Sequence, residues 1–351
     1  MGAATVAARF CALGDDTSVA YAVQGEGNPL VLVPGWLCHL QQTWSHPSAA
    51  SALQKLSATH RFVWYDRLGC GLSDRDGFEL SLDNDVAQLC AVLDAAGIRR
   101  TSLVGYSFGV PPAARFAARF PGRVDRLVLY SGFARGTSMM PRETLEASTQ
   151  LIRADWDMAT RLLSTHLLPN ASSPDLRWFS QFQQVAAEPE TAARLLEHTW
   201  SMDVRADLAD VRAPTLVLHN REDQVIPATA GQELAAGITG AELVLLDGNE
   251  HDPFIRDAGS LVEYILDFVD GLPLAEHPPA VPSRPGLTPR EQDVLQRVAS
   301  GATNEAIAHA LGITVKTVER HVTNVYRKLG AGGRADATRA AIALGLVSPA
   351  G

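Results

Sequence analysis

Three residues of this chain are of the types that carry out nucleophilic catalysis, and they occur in the order Ser107, Asp223, His251. Ser107 is the central residue of a Gly-x-Ser-x-Gly pattern over residues 105–109. A serine hydroxyl is a weak nucleophile until a neighbouring base takes its proton, and a histidine ring does this well when a carboxylate orients it. The three residues therefore predict a catalytic triad, with Ser107 as nucleophile, His251 as base and Asp223 as orienting acid.

Each of these residues follows a run of apolar and β-branched residues that is typical of a buried strand. The runs are residues 101–104, 215–219 and 241–246. Parallel strands place their carboxyl ends at one edge of a sheet, where sites form. After Ser107 a helical pattern begins, so the serine lies in a strand-to-helix turn whose flanking glycines permit close packing. The first turn of that helix directs N–H groups towards developing negative charge.

Strand-like runs alternate with helical stretches over about the first 270 residues. The runs are 30–33, 61–65, 101–104, 124–130, 215–219 and 241–246, and the helical stretches are 83–96, 111–120, 231–237 and 260–268. This alternation requires crossover connections, so it predicts an α/β fold with a mostly parallel sheet covered on both faces. Residues 7–13 and 18–24 predict an antiparallel hairpin at the sheet edge.

Residues 141–208 interrupt the alternation with helical patterning and no strand. We interpret residues from about 135 to 208 as a helical lid inserted into the sheet domain. The side chains predicted to line a ligand pocket are His39, Trp156, Trp178, Phe182 and Trp200. Two roles stay open for His39, a place in the pocket and capping of its loop. Packing in the protein core is the alternative for each lid aromatic.

Residues 1–270 resemble the α/β-hydrolase fold family. Besides the triad, residues 65–74 are similar to that family's loop after the fourth strand, normally Asp-x-Arg-Gly-x-Gly-x-Ser. For Asp66 and Asp74 in this loop, stabilisation of the loop is favoured over catalysis.

The same resemblance implies an oxyanion hole formed by the backbone N–H groups of Trp36 and Phe108. The chain departs from the family pattern at Pro34, where histidine is usual, and at Glu250, where glycine is usual. A serine nucleophile argues against epoxide hydrolase or haloalkane dehalogenase chemistry, for which related families use an aspartate.

Five prolines between Gly271 and Gly286 predict a semi-rigid linker over residues 271–286, between domains at 1–270 and 287–351. Residues 284–351 hold nine basic and five acidic residues, which leaves 21 basic and 34 acidic residues in the rest of the chain. The net charge of −9 is therefore +4 in this segment and −13 in the remainder. A basic tail on an acidic body suggests a module that binds a polyanion.

The residues after the linker show the start and stop signals of several short helices. A first helix begins at Thr288 and Pro289 and ends at Gly301, and a second, capped by Thr303 or Asn304, ends at Gly312. A longer helix after Thr314 carries an apolar stripe of Val315, Val318, Val322, Val325 and Leu329. Its other face is basic and amide-bearing, so the pair predicts a small all-α helix-turn-helix domain.

This segment resembles the LuxR-type (GerE-like) DNA-binding domain along almost its whole length. The matching residues are Leu287, Thr288, Arg290, Glu291, Gly301, Asn304, Ile307, Ala308, Leu311, Ile313, Thr317, Val318, His321, Asn324, Lys328, Leu329 and Arg334. The resemblance implies that Lys316, Thr317 and Arg320 face base edges or phosphates of double-stranded DNA. It implies that His321, Asn324 and Lys328 meet the DNA backbone. It also implies a homodimer through the last helix, around Ala337, Ala340, Ala341 and Leu344.

Composition narrows the remaining classes. No stretch approaches the roughly 20 apolar residues of a membrane helix, and the N-terminus lacks a secretory hydrophobic region. The four cysteines stand 20 or more residues apart, in no metal or redox spacing. We therefore expect a cytoplasmic protein without a membrane partner, a metal or a cofactor.

Three functional hypotheses follow. The leading hypothesis is a bacterial transcription regulator whose α/β-hydrolase-like sensor domain binds, and in one version cleaves, a small apolar ligand. The alternative is an active serine hydrolase, namely an esterase, a lactonase or a carbon–carbon bond hydrolase. A third hypothesis treats the hydrolase fold as a scaffold for protein contacts, and the residues leave all three open.

Overall fold

The computed structural model describes residues 6–14, 17–252, 254–255, 258–274, 287, 289–329, 331 and 333–343. By its internal contacts the chain divides into two compact units, residues 1–277 and 278–351. Most of the predicted linker, together with Thr288 and Leu344, lies outside the described residues. No described helix combines the length and apolarity needed to span a membrane.

The described residues of the first unit form one eight-stranded sheet. Its strands are β1 Arg9–Leu13, β2 Thr17–Gln24, β3 Asn28–Val33, β4 His60–Tyr65, β5 Thr101–Tyr106, β6 Val124–Tyr130, β7 Thr215–Asn220 and β8 Glu242–Leu246. They lie in the order β1-β2-β4-β3-β5-β6-β7-β8. β2 pairs antiparallel with β1 and with β4, and the other pairs are parallel. The predicted edge hairpin and mostly parallel α/β sheet are confirmed.

Helices cover both faces of this sheet, which is why its central strands are apolar on both sides and all six residues of β7 are buried. The helices are α1 Leu40–Ser45, α2 Pro47–Thr59, α3 Leu82–Ala95, α4 Val110–Arg119, α5 Arg142–Ala154, α6 Trp156–Leu167, α7 Ser173–Ala186, α8 Pro189–Ser201, α9 Ala228–Gly237 and α10 Gly259–Asp270. The sequence patterns predicted no element at residues 40–59, where α1 and α2 form the crossover between β3 and β4. The buried side chains of α2 are two alanines and two leucines, so small residues make its apolar stripe weak in the sequence.

Helices α5 to α8 occupy the region predicted as a lid, between β6 and β7. The two ends of this insertion are joined at its base, because Arg135 and Asp203 form a β-bridge. Beside that bridge, the Gly136 N–H donates to the Met202 carbonyl over 2.8 Å. The two connecting segments of the insertion are thus joined to each other at its base.

The contact between α4 and β3 is close enough to exclude a side chain. A Cβ atom added to Gly109 would lie 2.3 Å from the Val33 carbonyl oxygen and 2.6 Å from the Pro34 carbonyl oxygen. A Cβ atom on Gly105 would lie 2.9 Å from the Cβ of Ala113. The two glycines therefore let the turn around Ser107 pack directly against the loop that follows β3.

The described helices of the second unit are α11 Pro289–Ala299, α12 Asn304–Leu311, α13 Val315–Leu329 and α14 Arg334–Ala343. The Thr303 hydroxyl accepts the Ala306 N–H at the start of α12, and Gly312 ends that helix in the left-handed conformation. The Thr314 hydroxyl accepts the Thr317 N–H at the start of α13. These caps give the helix-turn-helix its sharp corner, and the predicted all-α domain is confirmed.

The predicted apolar stripe of α13 divides between two clusters. Val315, Val318 and Val322 pack with α11 and α12, whereas Val325 and Leu329 pack with α11 and α14. α13 is thereby held on its apolar side along most of its length, and its basic side faces away from the cluster residues.

The predicted dimer contact through Ala337 and Ala341 is wrong for these two residues. Both are fully buried inside the second unit, where they pack with Leu287, Leu295 and Val325. Their small side chains let α14 approach α11 closely, so they are not available to a second copy. The side chain of Ala340 and the whole of Leu344 lie outside the described residues.

Replacing Gly109 with alanine tests the close contact of α4 with β3. We expect Gly109→Ala to lower the free energy of unfolding of the first unit by about 2 kcal/mol or more, because backbone carbonyls cannot yield as a side chain can. Gly122→Ala is the matched control, since a Cβ there meets nothing within 4 Å. Denaturant unfolding followed by tryptophan fluorescence measures both, and equal midpoints for the two variants would contradict the packing described.

Candidate functional site

Ser107 lies in a strained turn between β5 and α4. Its φ is 52°, in the left-handed region that residues with a side chain seldom adopt. The residue is only 3 % exposed. Strain of this kind persists only where the surroundings hold it, and here the packed glycines at 105 and 109 do so.

The three predicted triad residues are brought together by the loops that follow β5, β7 and β8. Ser107 Oγ lies 2.7 Å from His251 Nε2, and His251 Nδ1 lies 2.8 Å from Asp223 Oδ2. An ionised carboxylate only accepts hydrogen bonds, so Nδ1 of His251 carries the hydrogen and Nε2 is the acceptor for the serine hydroxyl. This is the protonation pattern that a general base requires.

Asp223 is held by its own loop as well as by the histidine. Its Oδ1 accepts the N–H groups of Val225 and Ile226 over 2.9 and 3.1 Å, which leaves Oδ2 for His251. Burial alone would raise the pKa of Asp223, but its interaction with His251 and these backbone donors outweigh it and lower that pKa below its usual value. The carboxylate therefore stays ionised and fixed in direction.

His219 also supports the acid loop, and sequence reasoning missed it. Its ring is fully buried, and Nε2 donates to the Ile226 carbonyl over 2.8 Å, which closes the turn that carries Asp223. Burial lowers the pKa of His219, so the ring is neutral near pH 7. The signal that could have identified His219 is its polar side chain near the end of the otherwise apolar strand β7, four positions before Asp223.

The loop of His251 is fixed from two sides. The backbone N–H of His251 donates to the Leu167 carbonyl at the end of α6, over 3.1 Å. The Asn220 amide donates to the Glu250 carbonyl over 2.5 Å and to the Tyr130 hydroxyl over 3.1 Å. Glu250, a departure from the family pattern, therefore serves here through its backbone, and the loop keeps the histidine at the triad.

The two predicted oxyanion residues lie beside Ser107. A Cβ on Gly35 would be 3.5 Å from the Ser107 Cβ, so the peptide between Gly35 and Trp36 runs past the nucleophile. The rings of Trp36 and Phe108 are 6.4 Å apart. The indole of Trp36 donates to the Ala192 carbonyl on α8 over 3.2 Å, which ties this loop to the lid.

The structure brings only some of the predicted pocket residues near this site. Trp156 packs edge-on against Trp36 at 6.4 Å, and its buried indole N–H has no hydrogen-bond partner among the described residues. His39 is buried and its side chain makes no capping hydrogen bond to α1. Burial and the charge of Arg75 lower the pKa of His39, so its ring is neutral near pH 7.

Of the other three predicted pocket aromatics, Trp178 and Phe182 pack between the lid and residues of the sheet domain, and Trp200 packs at the base of the lid. Trp178 and Phe182 stack at 5.3 Å in a cluster that includes Ile255, four residues after the triad histidine. Trp200 lies at the base of the lid, where its indole donates to the Met140 carbonyl and Arg142 covers its ring. Both of these contacts are with residues of the lid region, and Trp200 also packs against the main core cluster of the first unit.

The two aspartates of the 65–74 loop bind backbone groups. Asp66 accepts the Leu40 and Leu72 N–H groups, each over 2.9 Å, and Asp74 accepts the Ser18 N–H over 2.7 Å. These contacts stabilise the loop, which is the role favoured from the sequence. Among the residues that the structure describes, no cluster of three or more His, Cys, Asp or Glu side chains could hold a metal.

The second unit presents a basic face on α13. Lys316, Arg320 and Arg327 are exposed and follow one another at helical spacing, with Asn324 half-exposed between them. Neither Lys316 nor Arg320 makes an ion pair with another described residue, so both cations are available to phosphates. Arg327, which was not among the predicted contacts, shares this face and was detectable from the same spacing. Its guanidinium also donates to the Asn324 side chain over 3.3 Å.

Two of the predicted DNA contacts also have partners inside the module. The Lys328 ammonium lies 2.7 Å from the buried carboxylate of Glu291 on α11. The Thr317 hydroxyl lies 2.8 Å from that of Thr314 in the cap of α13. His321 is half-exposed. Lys328 and Thr317 thus hold the helix in place whether or not they also reach DNA.

Comparison with known proteins finds relatives for both units. Residues 28–258 match the family described as the alpha/beta hydrolase fold. Residues 285–341 match the bacterial regulatory proteins of the luxR family, described under the name GerE.

The relatives of the first unit include proteins that are hydrolases by name. The AB hydrolase superfamily protein YisY of Bacillus subtilis is 27% identical, over 70% of this chain and 92% of its own length. The 2-hydroxymuconate semialdehyde hydrolase of Pseudomonas putida is 33% identical, over 71% of this chain and 90% of its own. The solved structure of bromoperoxidase from Bacillus anthracis covers 75% of this chain and all of its own, with a TM-score of 0.68 and 19% identity. That last likeness concerns the fold alone.

Replacing Asp223 with asparagine tests the orientation of His251. An amide in this place can donate to Nδ1, which favours the tautomer with the hydrogen on Nε2 and removes the base for Ser107. We expect Asp223→Asn to lower the rate at which a fluorophosphonate probe labels Ser107 by roughly 10³-fold or more, as the loss of the correct tautomer does in serine proteases. Labelling followed by intact-protein mass spectrometry measures it, and an unchanged rate in a folded variant would exclude Asp223 as the orienting acid.

Proposed function

Because this chain belongs to the α/β hydrolase fold family and carries a luxR-family module, we propose that it is a DNA-binding transcription regulator with a ligand-binding hydrolase domain. The observation that carries the proposal is the helix-turn-helix of α12 and α13, with the exposed cations Lys316, Arg320 and Arg327 on one side of α13. In this proposal the protein acts in the cytoplasm as a homodimer on paired half-sites.

The DNA contact is proposed to depend on the face that begins with Lys316 and Arg320. Guanidinium and ammonium groups at the start of a recognition helix can reach base edges in the major groove, and those further along meet phosphates. The acidic first unit, at −13, repels DNA, so the module supplies the attraction. Affinity should therefore fall by a few powers of ten as salt rises from about 50 to 200 mM.

Arg320→Ala tests this face. With a duplex selected by the wild-type chain from a random-sequence library, we expect at least a fivefold loss of affinity, about 1 kcal/mol, because one base or phosphate contact is lost. Arg297→Ala is the matched control: it removes one exposed positive charge from α11 and should change affinity less than twofold. Fluorescence anisotropy measures both. Equal effects of the two substitutions, or wild-type binding that is insensitive to salt, would contradict the proposal.

The ligand of the hydrolase domain is proposed to be small and largely apolar. Aromatic rings cluster beside Ser107, since Trp36 contacts both Phe108 and Trp156, and Phe108 contacts Phe133. Few polar groups among apolar walls are typical of a site that takes an apolar molecule with one reactive or polar end. The unpartnered indole N–H of Trp156 would suit such a polar end.

The intact triad supports a second candidate function, hydrolysis of an ester, a lactone or a carbon–carbon bond. For an ester, His251 Nε2 takes the Ser107 proton as Oγ attacks the carbonyl carbon, and the Trp36 and Phe108 N–H groups bind the oxyanion. The imidazolium then protonates the leaving alkoxide. Water, deprotonated by His251, next releases the acid from the acyl-serine. The two functions are compatible if cleavage is the event that the regulator senses.

Ser107→Ala distinguishes these functions. If the chain is a hydrolase, the substitution should abolish hydrolysis of p-nitrophenyl butyrate and labelling by a fluorophosphonate, because no other described side chain occupies the nucleophile position. A wild-type chain inert to both reagents would exclude the hydrolase candidate and leave a ligand-binding regulator. A Ser107→Ala chain that still hydrolyses the ester at the wild-type rate would exclude Ser107 as nucleophile.

A further inference from the structure

A buried polar network outside the triad is formed by Arg67, Asp85 and His198. Arg67 Nη2 lies 2.9 Å from Asp85 Oδ1, and His198 Nε2 lies 2.8 Å from Asp85 Oδ2. The three side chains are only 4, 7 and 7 % exposed. They come from three separate parts of the fold, namely the loop after β4, helix α3 and lid helix α8.

The carboxylate of Asp85, at the centre of this network, is ionised. Burial alone would raise the pKa of Asp85, but the Arg67 guanidinium and the hydrogen bond from His198 outweigh it and lower that pKa below its usual value. Because an ionised carboxylate only accepts, Nε2 of His198 is the donor. Each oxygen of Asp85 thus has its own donor, one from the lid and one from the sheet domain.

The Arg67 end of this network reaches the loop after β3 that carries Trp36, which we call the oxyanion loop. Arg67 Nη1 donates to the Gly35 carbonyl over 3.3 Å, and the Arg67 backbone N–H donates to Cys38 Sγ over 3.2 Å. The Gly35 carbonyl and the Trp36 N–H belong to the same peptide group. In a planar trans peptide these two bonds point in opposite directions, so a donor that fixes the carbonyl also fixes the N–H.

We propose that Arg67, Asp85 and His198 are positioning residues that set the direction of the Trp36 N–H towards the oxyanion. The proposal rests on the hydrolase function proposed above. Through it, α8 holds the oxyanion loop at two points, since His198 acts on the backbone of residues 35–36 and Ala192 accepts the Trp36 indole. The lid helix is thereby part of the catalytic geometry as well as a cover for the ligand.

The energetics of buried charges agree with a role in positioning. A buried ion pair contributes little net stability compared with apolar residues of similar volume, because both charges lose their hydration. Such a pair instead fixes the orientation of the groups it binds. The planar guanidinium of Arg67 holds Asp85 and the Gly35 carbonyl at fixed angles.

His198→Leu tests the proposal because it removes the donor from the lid. We expect kcat for p-nitrophenyl butyrate to fall about tenfold or more with KM within twofold, because an oxyanion donor acts in the transition state. His198→Gln should recover activity to within about threefold, since its side-chain amide offers an N–H to Asp85. The matched control is His60→Leu, which removes another buried histidine, 3.2 Å from Asp270, and should leave kcat unchanged.

Arg67→Lys gives a second variant, in case His198→Leu does not fold. It keeps a positive charge beside Asp85 but loses the fork that reaches Gly35, so the same fall in kcat is expected. A folded His198→Leu or Arg67→Lys chain with wild-type kcat would overturn the proposal, as would equal losses in His198→Leu and His60→Leu.

A measurement without substrate separates this proposal from the hydrolase function. In a chain labelled with ¹⁵N-tryptophan, the backbone amide resonance of Trp36, assigned with Trp36→Phe, should shift in His198→Leu and return in His198→Gln. If the wild-type chain neither cleaves esters nor reacts with a fluorophosphonate, the hydrolase function fails, and the Trp36 resonance still decides the positioning role. An unmoved resonance in His198→Leu would overturn that role.

Discussion

The contact of Gly109 with the Val33 and Pro34 carbonyls holds the site together. It allows α4 to begin directly against the end of β3, and so it brings the strained turn of Ser107 beside the loop that carries Trp36. This close contact sets the distance between Ser107 and Trp36, whose backbone N–H is one predicted oxyanion donor. The acid and the base are added from β7 and β8, whose ends lie at the same edge of the parallel sheet.

The lid is hydrogen-bonded to the loops that follow β3, β4 and β8. Besides the bonds to His251 and Trp36, the Ala186 carbonyl at the end of α7 accepts the Gly71 N–H over 2.8 Å. A ligand that changes the packing of α6 to α8 therefore acts on the loops that hold its reactive group. For a regulator this matters because a ligand shifts an equilibrium only if it binds one arrangement better than another.

Most of the fold and the triad could be predicted from local patterns. Ser107, Asp223 and His251 each follow an apolar strand, and the α13 stripe repeats at helical spacing, so nearby residues carry the signal. The network of Arg67, Asp85 and His198 could not be predicted. Its members lie far apart in the sequence, and their residue types are those of ordinary surface residues until the fold buries them. The dimer contact placed at Ala337 and Ala341 failed for a related reason. Small residues on a short helix suit packing within a domain as well as between copies, and only the tertiary structure distinguishes the two.

In the proposed regulator, the state of the Ser107 site is coupled to the DNA affinity of the helix-turn-helix module. DNA affinity of the full chain before and after stoichiometric reaction of Ser107 with a fluorophosphonate tests it directly, with the Ser107→Ala chain treated in the same way. If the two parts are coupled, occupation of Ser107 changes the dissociation constant for the selected duplex at least fivefold, about 1 kcal/mol, and the DNA affinity of the treated Ser107→Ala chain does not change. Complete labelling with the same DNA affinity would contradict it.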